Sequence, residues 1–335
     1  MSGASGRVHR ASAPTRLDFA GGWTDVAPFA EREGGAVVSA AITLRAHAEF
    51  EPAKDGLLLA AEDLGRQEWI RTPADLARNE GLVLHRAAAR MLPPGPGILR
   101  TRSDVPPGSG LGSSGAMDVA LLAVLASVRG DVYDAEDLAA LGFELEAREA
   151  GLPGGRQDQY AAALGGFHRF TFRGDVVGVE PLTLDPAFEA ELERRTVICY
   201  TGRSRVSGET IARVMQAYDQ RDPGVTAALR ELVAIAGAMA GALVTGDLLG
   251  VARLLSANWA SQQRLDPVMA TDEMRRLETA VRAAGALGGK AAGAGAGGCM
   301  FFLAGDDVTA VRDAAVRVGA TVLSARWSST GVTWC

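Results

Sequence analysis

The sequence predicts two domains that each mix strand with helix, and three observations carry that expectation. The chain has 335 residues, about twice the usual size of one domain. Its first half interleaves strand-like alternation with helical spacing of apolar residues. Its second half opens on a strand, runs through four helices and closes on a glycine-rich loop, strand, helix and strand. The first domain is expected over 1–185 and the second over 186–335.

Taken in order, Gly34 to Phe50 alternates small and β-branched residues as strands do, and Gly56 to Ala61 reads as a further short strand. Leu76 to Met91 has the spacing of a helix, which Pro93-Pro94-Gly95-Pro96-Gly97 stops. A strand from Ile98 to Ser103 enters a glycine-serine segment, and a long apolar helix follows from Ala116 to Val128. Asp134 and Asp137 open the next helix as a capping box, and the glycines at 151, 154 and 155 close it. Tyr160 to Leu164 is short and apolar, Phe167 to Phe172 alternates as a strand, and Thr183 to Arg195 reads as a charged connection with a helical turn. Thr196 to Tyr200 begins the second domain. Helices are expected around Glu209–Tyr218, Val225–Thr245, Asp247–Gln263 and Asp272–Ala284.

Composition excludes several classes. With 47% hydrophobic residues the chain can bury a sizeable core, which rules out disorder. A net charge of −6 without a basic run argues against nucleic acid as partner. Three cysteines without CxxC spacing and four scattered histidines offer neither a disulfide framework nor a zinc site. No stretch is read as long and apolar enough for a bilayer, and Met1 to Arg10 lacks the apolar core of a signal peptide, so no membrane association and a cytoplasmic location are expected.

Five stretches could carry chemistry. Pro106 to Ala116, PPGSGLGSSGA, holds four glycines and three serines between a strand and a helix. Successive backbone N–H groups there can face one concave site at a helix N-terminus, which makes an anion cradle. The bland alternative is a flexible turn capped by Ser113 or Ser114. No GK[ST] ends it, so it is not a Walker A loop. Gly293 to Gly298 matches GxGxxG literally, but with a helical segment expected before it and a strand after, the context of a dinucleotide site is inverted and a structural role fits better. Gly154-Gly155-Arg156-Gln157-Asp158-Gln159 follows a helix carrying Glu144 and Glu146. A carboxylate leaving a Gly-Gly turn can be held rigidly for proton abstraction, and an upstream glutamate can offer oxygen to a metal. Otherwise Asp158 is a solvated or capping residue. Ala13 to Asp25 combines a strand-like start with Gly21-Gly22-Trp23-Thr24-Asp25, an apolar platform with hydrogen-bonding groups suited to a sugar ring. Arg203 and Arg205 could bind a phosphate on a substrate.

In this order the segments resemble the GHMP kinases, the superfamily of galactokinase, homoserine kinase, mevalonate kinase and phosphomevalonate kinase, and the resemblance covers nearly the entire chain. PPGSGLGSSGA looks like the family's phosphate-binding motif, Ala13 to Asp25 like its N-terminal substrate motif and Lys290 to Gly305 like its third, glycine-rich motif. GGRQDQYAAALGGFHRF and Thr201 to Arg205 are most similar to the heptose 7-phosphate kinases. Those tend to have three glycines before Thr-Asp, whereas Gly21-Gly22-Trp23 is closer to the fucokinase pattern.

The resemblance implies an α+β fold of two domains, the first of the ribosomal-protein-S5 type and the second ferredoxin-like, with ATP and sugar between them and the third motif buttressing the phosphate loop. It implies ATP and Mg²⁺ as cofactors and a sugar or sugar phosphate as the small-molecule partner. Asp158 would orient or deprotonate the sugar hydroxyl and Arg16 would stabilise developing charge. Pro107, Gly108, Ser109, Gly110, Leu111, Gly112, Ser113 and Ser114 would bind ATP, with Ser114 and Glu146 holding Mg²⁺. Trp23, Thr24, Asp25, Gly155, Gln157, Arg203 and Arg205 would contact the sugar. The implied reaction is phosphorylation of an anomeric hydroxyl, with D-glycero-D-manno-heptose 7-phosphate as substrate. The alternatives are a fucokinase-like enzyme for an unphosphorylated sugar, a mevalonate diphosphate decarboxylase, which Gln157-Asp158-Gln159 and Trp23-Thr24-Asp25 disfavour, and a non-catalytic sugar sensor.

Overall fold

The computed structural model describes residues 6–203 and 208–334. In chain order these form β1 (His9–Ala20), α1 (Phe29–Arg32), β2 (Gly35–Pro52), β3 (Leu57–Ala61), β4 (Arg66–Ile70), α2 (Pro73–Ala77), α3 (Val83–Met91), β5 (Gly97–Ser103), α4 (Ser113–Arg129), α5 (Ala135–Glu144), a π-helical turn (Leu145–Glu149) and α6 (Gln157–Leu164). There follow β6 (Phe167–Arg173), β7 (Val176–Pro181), α7 (Pro186–Arg195), β8 (Thr196–Tyr200), α8 (Gly208–Asp219), α9 (Pro223–Val244), α10 (Leu248–Gln263), α11 (Asp272–Ala283), β9 (Ala286–Ala291), β10 (Cys299–Ala304), α12 (Val308–Arg317), β11 (Thr321–Leu323) and β12 (Thr333–Trp334).

Two sheets organise them. The larger runs β12-β1-β2-β5-β3-β4, with the first half of β2 pairing β6 and β6 pairing β7. Among the described residues only β3 and β5 are parallel, joined by a crossover through β4, α2 and α3. The smaller sheet is antiparallel in the order β11-β8-β10-β9. Strand β12 pairs β1 through Ala11 and Ser12, so the end of the chain returns to the larger sheet. This two-sheet arrangement is the α+β fold expected.

Helix α4 is apolar nearly all round, which suits a helix enclosed on every side. Val119, Leu121, Leu122, Val124 and Leu125 are wholly buried among β1, β2, α5 and α6. Each such side chain contributes about 1.5–3 kcal/mol by leaving water. Its N-terminus is thereby pinned where β5 and the glycine loop deliver it.

Several elements differ from expectation. The helix over 76–91 is broken into α2 and α3, because Gly81 is left-handed (φ +71) and admits Glu68, whose carboxylate takes the Leu82 N–H at 2.8 Å. Asp134 caps α5 by accepting from the Asp137 N–H at 2.8 Å, while a reciprocal capping box stands at Thr72 and Asp75. The stretch 183–195 contains a full helix, α7, started by Pro186 and capped by Asp185. The segment before Gly293 is the strand β9, not a helix. A Cβ at Gly288 would lie 2.0 Å from the Ala252 carbonyl oxygen and one at Gly289 2.2 Å from the Phe302 ring, so glycine there lets α10 and β10 close on the strand. Helix α9 corrects the membrane reading. It runs 22 residues and is, by length and composition, apolar enough to cross a bilayer, although half of its most apolar window is buried in the fold. Ile235, Met239 and Leu243 pack with Leu17, Phe19 and Val38 of the larger sheet and Phe301 and Leu303 of the smaller.

Candidate active site

A cavity of about 330 Å³ opens where the glycine loop, the N-terminal strand and the 293–298 loop meet. Gly108, Gly110 and Gly112 take φ of +67, +76 and +74, values that L side chains rarely adopt. Gly112 is the N-cap of α4, and no side chain caps that end. The N–H groups of the first turn, with the helix dipole behind them, are therefore left for an anion, and Ser113 and Ser114 do not act as caps. The loop is braced from the smaller sheet. The Cys299 N–H donates to the Ser109 carbonyl at 2.6 Å, and Gly293 sits so close that a Cβ on it would lie 2.6 Å from the Gly110 oxygen. The GxGxxG stretch does not have the inverted context expected, since strand β9 precedes it, but strand β10 and not a helix follows, and the stretch both braces the glycine loop and lines the cavity.

Arg16, on β1 and 4% exposed, ties the site together. Its Nε and Nη2 donate to Asp158 Oδ1 at 2.8 Å, and its Nη1 donates to the carbonyls of Gly110 at 2.7 Å and Ala292 at 2.9 Å. Asp158 lies in the first turn of α6. It reaches the glycine loop because Gly115 of α4 has no side chain, since a Cβ there would stand 2.6 Å from the Asp158 Cβ.

A second carboxylate comes from the π-helical turn after α5. Ser114 Oγ donates to Glu146 Oε1 at 2.5 Å, and Gln159 Nε2 donates to Glu146 Oε2 at 2.7 Å and to Asp118 Oδ2 at 3.4 Å. Burial pushes the Glu146 carboxyl up to about 7, and burial beside Glu146 raises Asp118 well above the ordinary carboxylate range.

The opposite wall is the Gly21 to Asp25 turn. Asp25 Oδ2 accepts the Gln157 N–H at 3.0 Å, and Gly155 packs so tightly on it that a Cβ would fall 1.9 Å from that oxygen. Burial pushes Asp25 up to about 6, against the lowering effect of that N–H. Trp23 is held at φ +82 and its ring joins the core with Val26 and Phe29. Below the wall, Lys290 of β9 donates to the Asp18 carbonyl at 2.6 Å and pairs with Asp18 Oδ2 at 3.0 Å.

Residues 81–166 match the description "GHMP kinases N terminal domain" and residues 239–321 match "GHMP kinases C terminal". A D-glycero-alpha-D-manno-heptose 7-phosphate kinase of Campylobacter jejuni is 31% identical over 304 residues, covering 88% of each chain. This chain is a GHMP kinase. A bifunctional fucokinase/GDP-fucose pyrophosphorylase of Arabidopsis thaliana is 28% identical over 88% of the chain, which spans 29% of that longer protein. Among solved structures, a D-glycero-D-manno-heptose 1-phosphate kinase of Bacteroides thetaiotaomicron superposes with a TM-score of 0.79 at 25% identity, covering 98% of both chains. This chain is an ATP-dependent phosphotransferase with an alcohol acceptor, a sugar kinase most similar to those named for heptose phosphates.

The cavity of this GHMP kinase collects most of the residues expected to serve it: Arg16, Asp158, Gly108, Gly110, Gly112, Ser113, Ser114, Glu146, Trp23, Asp25, Gly155 and Gln157. Ser109 and Leu111 are buried behind the loop. Thr24 is wholly buried, its hydroxyl donating to the carbonyls of Gly21 and Ala36 at 2.7 and 3.0 Å, so it pins the turn. Pro107 does not line the wall. Arg203 is exposed and pairs with Glu273 at 3.4 Å, while its carbonyl accepts the Gly298 N–H. Arg205 lies outside the described residues. Sequence reasoning passed over Asp118, which accepts from Gln159 Nε2, and named Gln159 beside Asp158 without its part as the donor to Glu146. The only signal for Asp118 is helical spacing, one turn after Ser114.

Proposed function

We propose that this GHMP kinase transfers the γ-phosphoryl group of ATP to the anomeric hydroxyl of D-glycero-D-manno-heptose 7-phosphate, giving the 1,7-bisphosphate. The observation that carries the reading is the Arg16–Asp158 pair at the foot of the cavity, directly under the glycine loop. Both Arg16 contacts fall on Oδ1, which leaves Oδ2 for the sugar hydroxyl. As the hydroxyl oxygen bonds to the γ-phosphorus and the bond to the β–γ bridging oxygen breaks, the proton passes to Asp158, and ADP leaves. Arg16 stabilises the charge that develops there, and the N–H groups of the glycine loop hold the phosphates. Positioning and charge stabilisation are most of what phosphoryl transfer asks of a protein.

Ser114 and Glu146 suit a hard divalent cation such as Mg²⁺, since a hydroxyl and a carboxylate oxygen already meet at one point and Gln159 orients the carboxylate. Mg²⁺ bound there neutralises phosphate charge. Among the described residues no group of three His, Cys, Asp or Glu side chains could hold a metal.

The choice of sugar rests on the 31% identity to the heptose 7-phosphate kinase. A second reading, an unphosphorylated sugar such as L-fucose, is favoured by Trp23 standing where the heptose kinases tend to have a third glycine, and by the fucokinase relative. The values of kcat/KM for heptose 7-phosphate and for L-fucose, in wild type and in Arg205→Ala, separate the two. The heptose reading expects wild type to prefer the phosphorylated sugar and Arg205→Ala to lose roughly ten- to a hundredfold on it, the cost of a charge-assisted bond. Preference for L-fucose with a silent Arg205→Ala overturns the heptose assignment.

A further inference from the structure

The Asp18–Lys290 pair lies beside the reaction centre and has no part in the steps above. Asp18 stands on β1 of the larger sheet and Lys290 on β9 of the smaller, so the pair bridges the two sheets. Lys290 is 0% exposed and Asp18 2%. Burying two charges is costly unless every lone pair and proton finds a partner. The ammonium places two of its three N–H groups, on the Asp18 carbonyl at 2.6 Å and Oδ2 at 3.0 Å. Of the carboxylate, Oδ1 is buried with no hydrogen-bond partner among the described residues, yet Asp18 lines the cavity.

The surroundings point to a ligand. Gly22, also on the cavity wall, covers Oδ2 so closely that a Cβ would lie 2.0 Å from it and 3.4 Å from Gln157 Nε2. Gln157, on the same wall, likewise keeps a buried oxygen, Oε1, without a partner among the described residues. Gly22 therefore lies between two cavity-lining side chains, Asp18 and Gln157, each of which keeps one buried acceptor, Oδ1 and Oε1, without a donor among the described residues. A carboxylate is acceptor-only, and a sugar hydroxyl is a donor of the right reach. Lys290 holds the carboxylate in place through Oδ2.

We propose that Asp18, locked by Lys290, accepts a hydrogen bond from a non-reacting hydroxyl of the sugar and so selects the substrate of this kinase. The proposal deepens the sugar-kinase reading and rests on it. Asp18 touches substrate without taking the reacting proton, and Lys290 is a positioning residue.

The test is a cycle of substrate and side chain. Single-deoxy analogues of the sugar are compared in wild type and in Asp18→Asn, with the sugar KM, the ATP KM and the thermal midpoint measured for each. The cycle is read on whichever of heptose 7-phosphate and L-fucose wild type turns over better, so a wrong choice of sugar leaves the test of Asp18 intact. One deoxy position should cost wild type about ten- to a hundredfold in kcat/KM, the range for a hydrogen bond to a charged group. In Asp18→Asn the intact sugar should lose a similar factor, the penalty for that deoxy position should shrink to within about threefold, and the ATP KM should stay put. Should Asp18→Asn fail to fold, the double variant Asp18→Asn/Lys290→Gln removes both charges and is read the same way. A lowered thermal midpoint with unchanged sugar KM and an undiminished deoxy penalty would show that the pair only rivets the sheets, and would overturn the proposal.

Discussion

Asp158 owes its position to three absent side chains: Gly112 and Gly115 leave room for its carboxyl, and Gly110 turns a carbonyl toward Arg16, which in turn holds Oδ1. Asp158→Asn keeps that shape and removes the proton acceptor. It should lower kcat by ~10²–10⁴, with ATP affinity nearly unchanged by equilibrium titration. Turnover near wild type would end the assignment of Asp158 as base. Asp25 shows the opposite balance between site and fold. Folding raises its carboxyl from 3.8 to about 6, chiefly through burial, so between those values the folded chain binds more protons than the unfolded one. The associated stabilisation is whole below about pH 4 and is lost as pH rises through about 6. Asp25→Asn removes the titration. Relative to wild type the variant should gain about 2 kcal/mol between pH 4 and pH 7, because each tenfold change in proton affinity on folding is worth about 1.4 kcal/mol and the unfolded group is already partly ionised at pH 4. Urea unfolding at the two pH values reads it, and a difference independent of pH would contradict it.

At the scale of elements, the start of α4 and the π-helical turn meet at Ser114 and Glu146. Each removes one oxygen from the proposed Mg²⁺ site if changed, so Ser114→Ala and Glu146→Gln should both raise the Mg²⁺ concentration needed for half-maximal rate. Metal titrations indistinguishable from wild type would place the ligands elsewhere. The glycine loop, the apolar α4 and the strands β5 and β8 were legible in the sequence because each is fixed by local pattern: glycine at positive φ, an unbroken apolar helix, alternation between turns. What was not legible depends on long-range approach. The break at Gly81 depends on Glu68, which lies on β4 and reaches it only once the chain has folded back. Strand β9 looks helical until α10 and β10 press on Gly288 and Gly289. Asp118 carries no motif, and only the approach of α6 lets Gln159 join it to Glu146.

At the scale of the molecule, the cavity belongs to neither sheet. Arg16, Asp25 and the glycine loop come from the larger, while Gly293, Gly295 and Gly297 follow β9 of the smaller. The core is continuous beneath it, since α9 packs Ile235, Met239 and Leu243 against strands of both sheets, and β12 returns the end of the chain to β1. Parts so coupled should unfold together, and a ligand gripping both walls should stabilise both at once. Scanning calorimetry should therefore show one transition without ligand. MgATP at about a hundred times its dissociation constant adds about 2.7 kcal/mol by mass action. At ~2–4 °C per kcal/mol for large domains, the whole transition should move up by about 5–10 °C without splitting. Two transitions, of which only one responds to MgATP, would mean that the phosphate loop and the glycine loop that braces it unfold independently, and that the shared core does not couple the sheets.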